Sequence, residues 1–152
     1  MFNQLMLATM MVVAIVVIHL SGLAILTRLL RSHVRVVRSI RIRPITLLAV
    51  ATIGIIAIHT VEIWLYAAAF LGVGAFRYFE DALYFSTSTY AAIGYGDVLL
   101  SPEWRVFGVI EGPAGVIMLG LSTAYLVSLL ARMKLLSHDW LTIAEGGGQQ
   151  PS

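Results

Sequence analysis

The chain contains no cysteine, so disulfide scaffolds, thiolate metal sites and thiol nucleophiles are excluded at once. It is also poor in charge: 12% of its 152 residues are Asp, Glu, Lys or Arg, against 59% hydrophobic. A water-soluble domain of this size cannot cover that much apolar surface with so few charges. There is no nucleotide-binding fingerprint, no metal-ligand cluster and no internal repeat. Neither an enzyme nor a resident cofactor is expected, and a membrane setting leaves no role for nucleic acid.

What is present falls into three apolar blocks. Residues 5–27 carry no charge, 45–71 carry only Glu62, and 106–131 carry only Glu111. At 1.5 Å per helical residue each block is long enough to cross a hydrocarbon core of about 30 Å. The expected fold class is an all-α membrane protein with three transmembrane helices. The first block lacks a preceding basic stretch and a small-residue cleavage site, so it reads as a retained helix and not a cleaved leader. Six of the ten Lys/Arg residues lie between the first two blocks, at positions 28, 31, 35, 38, 41 and 43, and Arg132 and Lys134 follow the third. The positive-inside rule places both regions in the cytoplasm of a cell whose plasma membrane the chain spans several times. The N-terminus and residues 72–105 are then outside, and the C-terminus is cytoplasmic.

The outer segment is too apolar for a solvated loop. Glu80 and Asp81 suit the first turn of a short helix, where the macrodipole favours anions. Residues 82–91 contain neither glycine nor proline, and Gly94 and Gly96 then break the helix just before Asp97. Non-helical backbone at membrane depth survives only when buried in protein or lining a wet cavity. A half-helix returning through two glycines therefore predicts a re-entrant loop. The glycines let successive carbonyls point one way, and four such strands could replace the hydration shell of a cation.

Residues 82–97, ending Ala91, Ala92, Ile93, Gly94, Tyr95, Gly96 and Asp97, resemble the pore helix and filter of the potassium-channel superfamily, whose filter usually reads Thr-Val-Gly-Tyr-Gly-Asp. The closest resemblance is to small bacterial two-transmembrane-pore channels, here with an additional N-terminal helix. It covers residues 45–134, with an outer helix over 45–71, a pore helix over 81–91, a filter over 92–97 and an inner helix over 105–131. It implies a homotetramer that conducts K+ passively through the carbonyls of Ala92, Ile93, Gly94, Tyr95 and Gly96. A non-selective cation channel and a non-conducting, modulatory subunit are the alternatives, because Ala91 and Ala92 stand where relatives have threonines. Ala92 keeps the carbonyl but supplies no hydroxyl to the innermost ion site. Gly94 to Asp97 also fits the Gly-x-Gly-Asp pattern of intramembrane aspartyl proteases. That chemistry needs two facing aspartates, and Asp81 and Asp139 lie outside the spans on opposite sides.

The resemblance further implies that Tyr95 packs outward on the pore helix and that Asp97 bonds an aromatic, by position Tyr84. Ser88 stands where some relatives are acidic, so a carboxylate brace must come from elsewhere; Ser88 and Thr89 remain candidate filter supports. Glu62, with His59 one turn before it, and Glu111 could supply that brace as one cluster, or could be separate satisfied polar groups. His19, alone in the first block, reads as a packing residue. Gly115 and Gly120 align with family inner-helix glycines and are either gating hinges or sites of close helix packing. Gly112 and Pro113 predict a kink. Arg35, Arg38, Arg41 and Arg43 lie in a stretch, 28–44, that reads as a basic amphipathic elbow on anionic inner-leaflet lipid, since a voltage sensor would need acidic partners on neighbouring spans. The polar residues 135–152 read as a flexible cytoplasmic tail.

Overall fold

A computed structural model of the chain describes residues 2–36 and 44–132. The described residues form four helices and no strand: α1 (Phe2–Val36), α2 (Pro44–Gly72), α3 (Phe79–Tyr90) and α4 (Arg105–Arg132). Three are long and apolar enough to cross a membrane, over Phe2–Arg31, Ile45–Gly72 and Arg105–Arg132. Pro44 occupies the first position of α2, where a missing N–H costs no helical hydrogen bond. Glu80 and Asp81 lie in the first turn of the short α3.

One boundary departs from expectation. The first helix does not stop at residue 27 but runs through the basic positions 28, 31 and 35 to Val36. Arginine and leucine are good helix formers, and no glycine or proline interrupts the chain between Gly22 and Pro44, so nothing local ends the helix there. The backbone of Arg35 therefore belongs to α1. Arg38, Arg41, Arg43 and residues 135–152 lie outside the described residues, and with them most of the expected elbow and all of the tail.

α2, α3 and α4 pack on one another, while α1 packs against α2 and α4 and makes no comparable contact with α3. Two apolar clusters hold these seams. One end of the bundle joins Leu26 and Leu30 of α1 to Ala51 and Ile55 of α2. The other holds Tyr66, Phe70, Tyr90, Phe107 and Met118. Phe70 is its hub, edge-on to Phe85 at 5.3 Å and 4.9 Å from Phe107 between ring centroids. Lipid tails are as apolar as these side chains, so packing and not water exclusion is what holds the helices together.

Glycine sets how closely the helices approach. A Cβ on Gly54 of α2 would lie 2.6 Å from Leu26, and one on Gly115 of α4 would lie 2.2 Å from the backbone carbonyl oxygen of Tyr90. Gly115 is thus what lets α4 lie directly against the C-terminal end of α3. A Cβ on Gly120 would meet nothing within 4 Å, and one on Gly112 would make only an ordinary 3.5 Å contact with the Thr89 carbonyl. Pro113 sits inside α4, which remains one helix from Arg105 to Arg132.

Candidate functional site

The segment after α3 is irregular, and its backbone alternates in handedness. Ala92, Gly94 and Gly96 have φ of 55°, 60° and 75°, while no positive φ occurs at Ile93 or Tyr95. In an extended strand of uniform φ sign, successive carbonyls point to opposite sides. Reversing the sign at every second residue turns them toward one side. Glycine reaches these angles without strain, whereas at Ala92 the left-handed region costs roughly 1–2 kcal/mol. Local sequence reasoning identified the two glycines; it did not foresee that Ala92 shares their conformation.

The end of α3 ties this loop down. The Thr89 carbonyl accepts from the N–H of Ala92 at 2.9 Å, and the Ser88 carbonyl accepts from Ile93 at 2.9 Å and Gly94 at 3.2 Å. The Ser88 hydroxyl accepts from the Tyr95 N–H at 3.3 Å. Beyond the loop, the Tyr84 hydroxyl donates to Asp97 at 2.7 Å, and the rings of Tyr84 and Tyr95 stack with centroids 6.4 Å apart. That hydrogen bond holds the Asp97 carboxyl below its ordinary range and raises the Tyr84 phenol. Ile93 and Tyr95 are exposed, and the single chain offers nothing to cover the loop.

Behind the loop lies a ring of buried polar side chains drawn from all four helices. His19 Nδ1 is 3.0 Å from Glu62 Oε1, and His59 Nδ1 is 3.3 Å from Glu62 Oε2. The Tyr90 hydroxyl donates to Glu62 Oε2 and lies 2.9 Å from His59 Nδ1. Ser122 Oγ closes the ring, 2.9 Å from His59 Nε2 and 3.4 Å from His19 Nε2. Tyr90 stands two residues before Ala92, so the ring bears on the start of the loop.

The structure thus brings His59 and Glu62 together and leaves Glu111 apart. Among the described residues no hydrogen bond joins Glu111 to the ring. Its Oε1 accepts from the Ser86 hydroxyl at 2.5 Å, which also lies 3.0 Å from the Ile63 carbonyl, and its Oε2 has no partner. Ser86 is therefore a second tie between α3 and α4, and it escaped sequence reasoning because a serine in a short helix carries no distinguishing pattern. His19 is no apolar packing residue: it is fully buried, with both ring nitrogens engaged. Its one available signal was being the sole ionisable group in an otherwise chargeless block. Tyr90 and Ser122 gave no such signal.

Residues 45–132, more than half of the chain, match the family model described as an ion channel. No curated protein and no solved structure matches the chain. The matched region takes in α2, α3, the irregular loop and α4, and excludes α1. The chain belongs to this ion-channel family.

Proposed function

We propose that the chain is a subunit of a potassium-selective channel in which four copies surround a common axis. α3 is its pore helix, the backbone from Ala92 to Gly96 is its filter, and α4 lines the pore. The observation that carries this reading is the alternation of positive φ at Ala92, Gly94 and Gly96, which turns consecutive carbonyls to one side. A file of carbonyl oxygens can replace the hydration shell of a dehydrated cation. One chain supplies one wall of such a file. The same loop is exposed at a place where bare backbone polar groups cannot face lipid, so neighbouring copies must cover it.

The sidedness follows from the basic residues: the loop lies toward the outside, and the Arg-rich link between α1 and α2, including Arg38, Arg41 and Arg43, lies toward anionic lipid of the inner leaflet. Ala92 contributes an oxygen without a hydroxyl, which makes the innermost ion site weaker than the others. Gly115 and Gly120 remain the hinge candidates of α4, with Gly112 and Pro113 marking an alternative bend.

The test is ion flux in liposomes holding the purified protein under a potassium gradient. Potassium efflux blocked by barium, at least tenfold faster than sodium efflux, is the expected result. Equal fluxes would make the protein a non-selective cation channel. No flux from the wild type or from an Ala92→Thr variant, which restores the hydroxyl, would make it a non-conducting subunit.

A further inference from the structure

His19 of α1 and His59 and Glu62 of α2 offer three ligand atoms that all lie within 4.8 Å of one another. Their orientation is notable for its symmetry. Both Nδ1 atoms face the two oxygens of one carboxylate, at 3.0 and 3.3 Å. Both Nε2 atoms face one hydroxyl, Ser122 Oγ, at 3.4 and 2.9 Å. His19 and Glu62 are fully buried, and the His59 side chain keeps 11% of its surface open as an approach.

We propose that His19, His59 and Glu62 form a binding site for a transition-metal dication of the zinc class, with Ser122 as its outer-shell support. Two imidazoles and a carboxylate are a ligand set that suits zinc and its neighbours, whereas calcium and magnesium prefer oxygen alone. Two ligands that each lie about 2.0–2.1 Å from a shared ion are roughly 3.0–3.4 Å apart. Both nitrogen–oxygen separations fall in that interval. An ion there takes the two Nδ1 lone pairs, which leaves a hydrogen on each Nε2. Metal-bound histidines donate that second hydrogen to a nearby oxygen, and the two lone pairs of Ser122 Oγ can accept both. The Tyr90 hydroxyl, 2.9 Å from His59 Nδ1, is placed as a further oxygen neighbour. Charge points the same way: among the described residues Glu62 pairs with the two histidines and with no lysine or arginine. Ionisable groups at membrane depth pair with one another, and a dication held by Glu62 and the two histidines would complete that pairing.

His19 lies outside residues 45–132, so the site is a feature of this chain's added helix and not of the channel module alone. A bound ion would fasten α1 to α2 beside Tyr90, at the foot of the loop.

The full-length protein in detergent, titrated with Zn2+ alone, provides the test. One zinc per chain and a rise in Tm are expected, and a His33→Gln/His138→Gln variant, which keeps only these two histidines, should match the wild type. His19→Gln should weaken binding 100-fold or more and abolish the Tm rise. Ser122→Ala should weaken it by about 10–100-fold, as loss of an outer-shell partner does. Should His19→Gln fail to fold, the zinc X-ray absorption edge of the wild type decides instead, with two imidazole nitrogens expected. A wild type that takes up no zinc, undiminished binding by His19→Gln, or a zinc environment with fewer than two imidazoles would overturn the proposal. Binding is read without ion conduction, so its failure leaves the potassium-channel reading untouched.

Discussion

Replacing Gly115 by alanine adds one carbon at the tightest seam between α4 and α3. That carbon would lie 2.2 Å from the Tyr90 carbonyl oxygen, 2.9 Å from its carbonyl carbon and 2.9 Å from its Cγ. Two of these are backbone atoms at the end of a helix and cannot rotate away. Relief requires α3 and α4 to part by about 1 Å, since carbon contacts are optimal near 3.5–4.0 Å. A gap of that size forfeits a quarter to a half of each contact's attraction. For a seam of roughly fifty contacts worth ~0.15 kcal/mol each, the loss is about 2–4 kcal/mol, at the upper end of what overpacking costs elsewhere. Gly112→Ala is the control, because its new carbon meets the Thr89 carbonyl at an ordinary 3.5 Å. Thermal unfolding in detergent, followed by tryptophan fluorescence, should place Gly115→Ala about 5–10 °C below the wild type. Gly112→Ala should stay within about 2 °C. If Gly115→Ala unfolds with the wild type, the glycine is not there for close packing, and its role must be flexibility alone.

Three further outcomes follow from the loop and the core. Ala92→Gly should hold or slightly raise stability, because glycine removes a left-handed strain of roughly 1–2 kcal/mol and loses part of that gain to backbone entropy; Ala92→Val should lower stability by at least as much, read by the same unfolding assay. Tyr84→Phe should raise the Asp97 carboxyl toward the ordinary value of about 3.9, read by carboxyl-resolved NMR of labelled aspartate, because the Tyr84 hydrogen bond is the first cause of its lowering. The sign is fixed by that direction: the stabilisation from the Tyr84–Asp97 bond is complete above the ordinary carboxyl value and is lost as pH falls through the lower folded one. Phe70→Ala should destabilise the bundle by about 3 kcal/mol, since it empties the hub shared by Phe76, Phe85 and Phe107.

The helices were legible because membrane crossing imposes length and composition so strictly that three apolar blocks suffice to find them. The short α3 and the broken loop were legible for a related reason: Glu80, Asp81, Gly94 and Gly96 are local punctuation. The end of α1 was not, because the basic residues after Thr27 suggest a change of environment while their helix propensity favours continuing the helix. The polar ring was half legible. His59 and Glu62 are one turn apart and announce each other, but the distances in sequence from there to His19, Tyr90 and Ser122 are 43, 28 and 63 positions. No local period encodes such contacts; only the packing of α1, α3 and α4 around α2 creates them. Glu111 shows the converse, a rare intramembrane charge whose sequence rarity suggested company with Glu62 and whose place on α4 gave it Ser86 instead.

That distribution of polar groups changes the standing of α1. A helix that only covered the channel module from lipid would present apolar side chains to it, and any substitution of similar volume would serve. His19 instead places both ring nitrogens among Glu62 and Ser122, in an interior where an unmatched polar group is costly. Removing the imidazole leaves Glu62 Oε1 without its partner and Ser122 with one fewer. The disturbance then reaches Tyr90, whose hydroxyl binds the other oxygen of the same carboxylate. Tyr90 in turn ends the helix whose last carbonyls fix the N–H groups of Ala92, Ile93 and Gly94. Hydrogen bonds therefore run from a helix outside the family module to Tyr90, and the covalent backbone at the end of α3 links Tyr90 to the carbonyls that hold the foot of the loop. His19→Leu, which preserves bulk and removes both nitrogens, separates the two roles. If α1 were only a cover, the potassium flux and selectivity proposed for the channel would be unchanged. If α1 braces the loop, selectivity over sodium should fall while the protein still assembles.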